Sequence, residues 1–204
     1  MYPQSLIDAG GLVAKLVGSY ELELHHVMDE WIERRPARVI NVGAAEGYFA
    51  VGLARALPGA AVLAFEADDA TRAQCMELAA ANGVAERIVF AGECTAADLE
   101  RLDPGDAVVL CDCEGCELEL IDPARVPALR TWELLVELHD FVDPAISSTV
   151  PARFGQGHRV ELIPSRARRA ESLPELNDLG PRERQLLLGE RRPAPMEWAW
   201  IQSA

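Results

Sequence analysis

Four residues that could carry acid–base or metal chemistry stand at the ends of two apolar runs of this chain. Asp112 and Glu114 follow the run AVVLC, and Glu137 and His139 close the run TWELLVELH. If both runs are neighbouring parallel strands, their carboxyl ends meet at one edge of a sheet. Open α/β sheets bind ligands at that edge. These four side chains are therefore the first candidates for a reactive site.

Three interpretations of this group stay open. His139, Glu137 or Asp112 can act as a general base that takes a proton from a substrate hydroxyl. Alternatively, carboxylate oxygens and His139 can hold a divalent cation that lowers the pKa of that hydroxyl. In the third interpretation, the carboxylates only orient backbone and ligand, while His139 bonds to a neighbour. We favour the first, with Asp112, Glu137 and His139 as catalytic residues, and assign no metal ligand.

A small-residue turn follows an earlier apolar run and leads into a helical pattern. Small residues let the backbone approach a ligand closely, and the N-terminus of the following helix faces that ligand. Glu66 ends the next apolar run, AVLAFE, where a carboxylate can accept both hydroxyls of a ribose. The turn and its flanks contain Asn41, Gly43, Ala44, Ala45, Gly47, Tyr48 and Phe49.

The spacing within the turn argues against two common nucleotide-binding loops. A dinucleotide-binding turn has glycine at its first, third and sixth positions, which here hold Gly43, Ala45 and Tyr48. A tyrosine ring at the last of these positions would obstruct close packing of helix on strand. No GxxxxGK(S/T) motif is present, and the only lysine, Lys15, lies elsewhere. NAD is therefore disfavoured and a P-loop is excluded.

Alternating strand and helix patterns supply the scaffold for these residues. Short β-type runs alternate with helices of about 10–15 residues, which predicts βαβ units and a parallel sheet. Helical spacing on both sides of Gly18-Ser19 predicts two N-terminal helices, the second ended by Pro36. Residues 140–157 are predicted to form a long loop suited to a lid. We expect a helical cap over residues 1–36 and one α/β domain over residues 37–204.

The turn and the acid after it resemble motif I of class I S-adenosylmethionine (SAM)-dependent methyltransferases. Gly43, Ala45 and Gly47 give the pattern G-x-A-x-G, and Glu66 ends the next strand. The family often has an acid at position 41, where Asn41 would contact the ligand's ammonium group by its dipole. The resemblance implies a Rossmann-like α/β fold. Its seven-stranded, mostly parallel sheet has helices on both faces and an antiparallel last strand.

The resemblance also implies where SAM would lie. Glu93 and Cys94 end the third strand, where this fold contacts adenine, and Tyr20 belongs to a cap that closes over the cofactor. The implied cofactor-binding residues are Tyr20, Asn41, Gly43, Ala44, Ala45, Gly47, Tyr48, Phe49, Glu66, Ala67, Glu93, Cys94 and Asp112.

A second resemblance indicates which kind of acceptor group the protein would methylate. The segment LCDCEGCELELI, residues 110–121, resembles the K-I-D-V-E-G-x-E-x-x-x-L stretch of FkbM-type methyltransferases, and LLVELH, residues 134–139, resembles their ilvElH segment. The likeness covers about half of the chain, from Arg38 to His139. It implies transfer of a methyl group from SAM to a hydroxyl of a small molecule or glycan, with S-adenosylhomocysteine (SAH) as the other product. Two alternatives are a non-catalytic SAM-binding partner protein and an NAD-dependent oxidoreductase or epimerase.

Composition and charge indicate which partners, location and cysteine state to expect. The chain has 204 residues, 50% of them hydrophobic, and a net charge of −14, which repels phosphate backbones and argues against general nucleic-acid binding. No apolar run is long enough to span a bilayer and no signal peptide is evident, so we expect a cytoplasmic protein. Five cysteines form no paired framework and are expected to be reduced, buried thiols. Whether the chain forms a homodimer is left open.

Overall fold

Seven strands form one mixed sheet in the order β3-β2-β1-β4-β5-β7-β6 in the computed structural model of the chain. The structure describes residues 1–8, 12–155, 157–166, 176–188 and 196–203. β7 is antiparallel to both β5 and β6, and the other neighbouring pairs are parallel, which confirms the predicted sheet. The strands are β1 Arg38–Val42, β2 Ala61–Phe65, β3 Ile88–Ala91, β4 Ala107–Cys111, β5 Glu133–Leu138, β6 His158–Pro164 and β7 Glu197–Ser203.

Helices connect most of these strands. The described α-helices are α1 Gln4–Asp8, α2 Val13–Leu16, α3 His25–Arg34, α4 Tyr48–Ala56, α5 Asp69–Ala81, α6 Ala96–Glu100, α7 Glu117–Leu120, α8 Ile146–Ala152 and α9 Pro181–Leu188. Short 3-10 segments cover Leu22–Leu24, Ala85–Arg87 and Pro127–Arg130. Within the described residues, none of these helices could cross a membrane.

The sheet separates two apolar layers because successive strand residues point to opposite faces. On β4, Val108 and Leu110 pack in a core with α3, α4 and α5, whereas Val109 and Cys111 pack in a core with α6, α7 and α8. All five residues of β4 are buried, as expected for a central parallel strand. The two layers confirm the expected helices on both faces.

The N-terminal region contains more and shorter helical segments than its apolar periodicity predicted. α1, α2, a 3-10 turn and α3 take the place of two helices, and Gly18 adopts a φ of +69° at the break. α3 ends at Arg34, and Arg35 follows it with a φ of +56° directly before Pro36, as expected. Trp31 on α3 is fully buried and its indole nitrogen donates to Glu133 of β5 at 2.7 Å. The cap boundary at residue 36 stays a prediction.

One predicted loop contains a helix. Residues 146–152 form α8, so the expectation of an irregular segment over residues 140–157 was wrong. Ile146, Val150 and Phe154 follow helical spacing and are buried in the second core, which fixes the helix despite nearby prolines. Asp140 accepts hydrogen bonds from both the backbone amide and the hydroxyl of Ser147.

Candidate functional site

A cavity of about 270 Å³ opens where β1, β2, β3 and β4 end. Six of the predicted cofactor-binding residues line it, from four different strand ends. The complete lining is Val42, Gly43, Phe65, Glu66, Ala67, Glu93, Cys94, Asp112, Cys113, Glu114 and Cys116. This is the edge of an open α/β sheet at which ligands bind.

The turn after β1 shapes one wall of the cavity. Gly43 has a φ of +76°, and a Cβ at this position would lie 1.6 Å from the backbone oxygen of Asp112. Ala45 also has a positive φ, of +48°, and its amide donates a 2.8 Å hydrogen bond to Glu66 Oε2. Glu66 Oε1 accepts from the amide of Asp68 at 3.0 Å. The carboxylate is therefore held in a fixed orientation at the cavity wall.

Other predicted cofactor residues lie outside this lining. The side chain of Asn41 is buried, its amide nitrogen lies 3.5 Å from the backbone oxygen of Leu110, and its oxygen has no hydrogen bond. Tyr48 and Phe49 begin α4 and line a second cavity, of about 310 Å³, together with residues of α3. Tyr20 packs edge-on against Tyr48, with ring centroids 5.1 Å apart. Gly47 precedes α4, and Ala44 donates its amide to the oxygen of Phe65.

The four acid–base candidates converge as the strand order predicts. His139 is 1% exposed, and its Nε2 lies 3.4 Å from Asp112 Oδ1, 3.4 Å from Glu137 Oε2 and 3.7 Å from Glu114 Oε2. Asp112 also lines the cavity. The His139 cluster, defined as Asp112, Glu114, Glu117, Glu137 and His139, thus adjoins the space in which a ligand would lie.

Burial and charge have opposite effects on the pKa of His139 and the same effect on the pKa of Asp112. Burial lowers the pKa of His139, but hydrogen bonds and charges from Glu117 and Glu137 outweigh it and raise that pKa to about 10. Burial, followed by the charge and hydrogen bond of Glu137, raises the pKa of Asp112 well above its ordinary value. The raised pKa values favour the protonated forms of both His139 and Asp112. Burial and the charges of Glu21, Asp112 and Glu137 likewise raise the pKa of Tyr20.

Sequence reasoning missed Glu117. This residue begins α7, is fully buried, and its Oε1 lies 2.5 Å from His139 Nδ1. The same oxygen accepts from the amide of Gly115 at 3.2 Å. The available signal was an acid at the first position of the helix ELEL, inside the segment that resembles the FkbM stretch.

The cysteines correct one expectation. Cys113 and Cys116 form a disulfide that borders the cavity, so the expectation of five reduced thiols was wrong for these two. Cys75, Cys94 and Cys111 are buried free thiols, as expected. The bond forms because Glu114 and Gly115, with φ of +56° and +115°, turn the chain back and bring Cys116 to Cys113.

Comparison with known proteins identifies the fold. No family model and no curated protein matches this chain. Among solved structures, the O-methyltransferase TomG from Streptomyces achromogenes in complex with SAM is 15% identical, with a TM-score of 0.60 over 100% of this chain and 91% of TomG. Cofactor-bound Rv0187 from MTB is 14% identical, with a TM-score of 0.63 over 96% and 89% of the two chains.

A third structure has the same architecture. The O-methyltransferase from Bacillus cereus in complex with SAH is 12% identical, with a TM-score of 0.58 over 89% of this chain and 81% of that one. The chain therefore has the Rossmann-like fold found in SAM-dependent methyltransferases. Membership of the FkbM-type family stays a prediction.

Proposed function

We propose that this protein is a SAM-dependent methyltransferase that acts on a hydroxyl of a small molecule or glycan. One observation carries the proposal: Glu66 is held by two backbone amides at the wall of a cavity formed by four strand ends. Solved structures with the same fold contain SAM or SAH, which supports the same donor here.

The residues that line the cavity would provide partners for the ribose, the adenine and the reactive end of SAM. Glu66 would accept the ribose hydroxyls, and the Gly43 turn would let the nucleoside approach the backbone. Glu93 and Cys94 line the side of the cavity that would take adenine. Asp112 would face the reactive end, next to the His139 cluster. In this arrangement the transferred methyl group would lie beside the groups that can accept a proton.

The chain's own residues contribute alignment and proton transfer. Holding methyl donor and acceptor in line can supply about 7–11 kcal/mol of the barrier. Because hydrogen bonds and charges from Glu117 and Glu137 raise the pKa of His139 to about 10, we assign the general base to Glu137 and give His139 the role of orienting it. Glu117 fixes the imidazole from the other side.

Oxygen as the acceptor atom rests on the FkbM-like segment. The chain lacks the (D/N)PP(Y/F) pattern that grips a planar amino group in nucleobase N-methyltransferases. A SAM-binding partner protein is the second candidate, favoured by the amide of Asn41 where an acid is usual. The two candidates differ in one respect, since only the enzyme converts SAM to SAH when an acceptor is present.

A transfer assay tests the proposal. The protein is incubated with methyl-labelled SAM and a panel of hydroxylated small molecules and sugars, and labelled product and SAH are measured together. We expect stoichiometric SAH and a product that carries an O-methyl group, with turnover reduced at least about a hundredfold in Glu137→Gln. Glu119→Gln, on the exposed side of α7, is the matched control. Label found on nitrogen or carbon would contradict the O-methylation proposal.

A further inference from the structure

We propose that Cys113 and Cys116 form a redox-sensitive site, at which a dithiol opens the disulfide and loosens the wall of the cofactor cavity. The two residues lie in the loop between β4 and α7, and both line the cavity. The proposal rests on the proposed function in one respect, because SAH is taken as the ligand whose affinity the disulfide controls.

The disulfide is the part of the cysteine set that a reductant can reach. Cys113 and Cys116 are partly exposed at the cavity wall, whereas the free thiols of Cys75, Cys94 and Cys111 are buried. A disulfide opens when a thiolate attacks one of its sulfur atoms, so access limits the reaction. A small dithiol that enters the cavity would therefore meet this bond first.

A third sulfur atom lies beside the disulfide. Cys111 is fully buried, and its Sγ lies 3.7 Å from Sγ of Cys113. Burial, followed by the charge of Glu117, raises the pKa of the Cys111 thiol well above its ordinary value. The thiolate is the form that attacks a disulfide. Because the raised pKa favours the thiol form, we expect the bond to persist until an external dithiol arrives.

The disulfide spans a strained turn. Glu114 has a φ of +56°, which residues other than glycine rarely adopt. Gly115 has a φ of +115°, and a Cβ on it would lie 2.7 Å from Cγ1 of Val142. The bond holds the Cα atoms of Cys113 and Cys116 5.6 Å apart across this turn. Opening the bond removes that restraint and lets the turn relax toward more common backbone angles.

Both sides of the turn carry groups of the candidate site. Asp112, on one side, lines the cavity. Glu117, on the other, accepts from the amide of Gly115 at 3.2 Å, and the same oxygen lies 2.5 Å from Nδ1 of His139. Relaxation of the turn would displace both acids. We therefore expect the oxidised form to bind SAH more tightly than the reduced form.

The exchange passes two electrons from the dithiol to the protein. One thiolate of the reductant attacks Sγ of Cys113 or Cys116, so that a mixed disulfide forms as the protein S–S bond breaks. The released cysteine thiolate takes up a proton. The second thiolate of the reductant then attacks the mixed disulfide, and the other cysteine leaves and takes up a proton. The reductant ends as its disulfide, and the protein holds two thiols.

Thiol labelling tests the modification itself. The full chain is treated with oxidised glutathione or with dithiothreitol, freed of reagent, alkylated without denaturant and analysed by mass spectrometry. We expect a Cys113–Cys116 cross-link in the oxidised sample and alkylation of both residues in the reduced one. The buried thiols should react only after denaturation. Absence of the cross-link in the oxidised sample, or labelling of Cys111 before Cys113, would overturn the proposal.

Calorimetric titration with SAH tests control of the cavity. We expect affinity at least about fivefold weaker after reduction, the lower end of coupling between sites, and recovery on reoxidation. Cys113→Ser and Cys116→Ser cannot form the bond, so their affinities should not respond to either reagent. Cys75→Ala removes a buried thiol of α5 and is the matched control, which should respond as the wild type does. A response retained in both serine variants would overturn the proposal.

Amide hydrogen exchange separates failure of this site from failure of the proposed function. Equal SAH affinity in the oxidised and reduced wild type would refute the redox control and leave the proposed function standing. If neither form binds SAH, the proposed function fails, and exchange within residues 112–120 decides the redox site. Faster exchange there after reduction, with α5 unchanged, would support the site, and equal exchange would overturn it.

Discussion

Gly43 holds the end of β1 against the backbone that leaves β4. Its positive φ and the 1.6 Å that would separate a Cβ from the Asp112 oxygen leave no room for a side chain. The same close approach brings Asp112 to the cavity wall. A larger residue would therefore displace both the turn and a residue of the candidate site.

A pair of glycine substitutions tests this account. We expect Gly43→Ala to lower the free energy of unfolding by about 2 kcal/mol or more, because it adds backbone strain and a collision with backbone. Gly52→Ala is the control, since nothing lies within 4 Å of its added Cβ in α4. That change should be neutral or stabilise by up to about 1 kcal/mol. Equal thermal stability of the two variants would contradict the close packing.

Residue types predicted part of the site and missed another part. Glu66 was predicted because an acid at the end of β2, after the G-x-A-x-G turn, is part of a short pattern that can be recognised in the sequence. Glu117 was missed because its role comes from contact with His139, which lies 22 residues away in sequence. Periodicity identifies which residues are in a strand or helix, but not which buried acid meets which base.

Among the elements, α3 is joined to the sheet by a buried carboxylate. Glu133 Oε1 accepts from the indole nitrogens of Trp31 at 2.7 Å and Trp200 at 2.6 Å. Arg34 of α3 lies 3.4 Å from the other oxygen, Oε2. One residue of β5 thereby connects α3, β5 and β7.

Removing this carboxylate should destabilise the fold. In Glu133→Ala, two buried indole N–H groups lose their acceptor, and each such loss costs about 1–3 kcal/mol. We expect the urea-derived free energy of unfolding to fall by about 3 kcal/mol. Glu30→Ala is the matched control. Glu30 also connects α3 with β7, through a hydrogen bond from Gln202, but it is exposed. It should change stability by less than about 0.5 kcal/mol, and a similar loss in both variants would refute the argument.

Periodicity predicted the seven strands and most of the helices between them. It failed at α8, where Pro144 and Pro151 indicated a loop while Ile146, Val150 and Phe154 had helical spacing. Burial of those three side chains decided the outcome, and burial is a property of the folded chain. The same limit applies to the Cys113–Cys116 bond, which depends on two positive φ angles.

At the scale of the whole molecule, charge should affect how the donor arrives. The chain has a net charge of −14, while SAM carries one net positive charge and SAH none. Such a field raises the association rate of a cation, and salt screens it. We expect the association rate of SAM, measured by stopped flow, to fall several-fold from low to physiological salt. The rate for SAH should change little, and equal salt dependence of the two would contradict electrostatic steering.

The identity of the bound nucleoside is the central claim, and calorimetric titration tests it most directly. SAH, NAD and buffer are titrated into the wild type, Glu66→Ala and the control Glu86→Ala, whose exposed acid lies at the opposite end of β3. The account predicts saturable binding of SAH alone. It also predicts affinity at least about tenfold weaker in Glu66→Ala, because hydrogen bonds to a charged group are lost, and unchanged affinity in Glu86→Ala. Binding of NAD in preference to SAH, or equal SAH affinity in Glu66→Ala and the wild type, would contradict it.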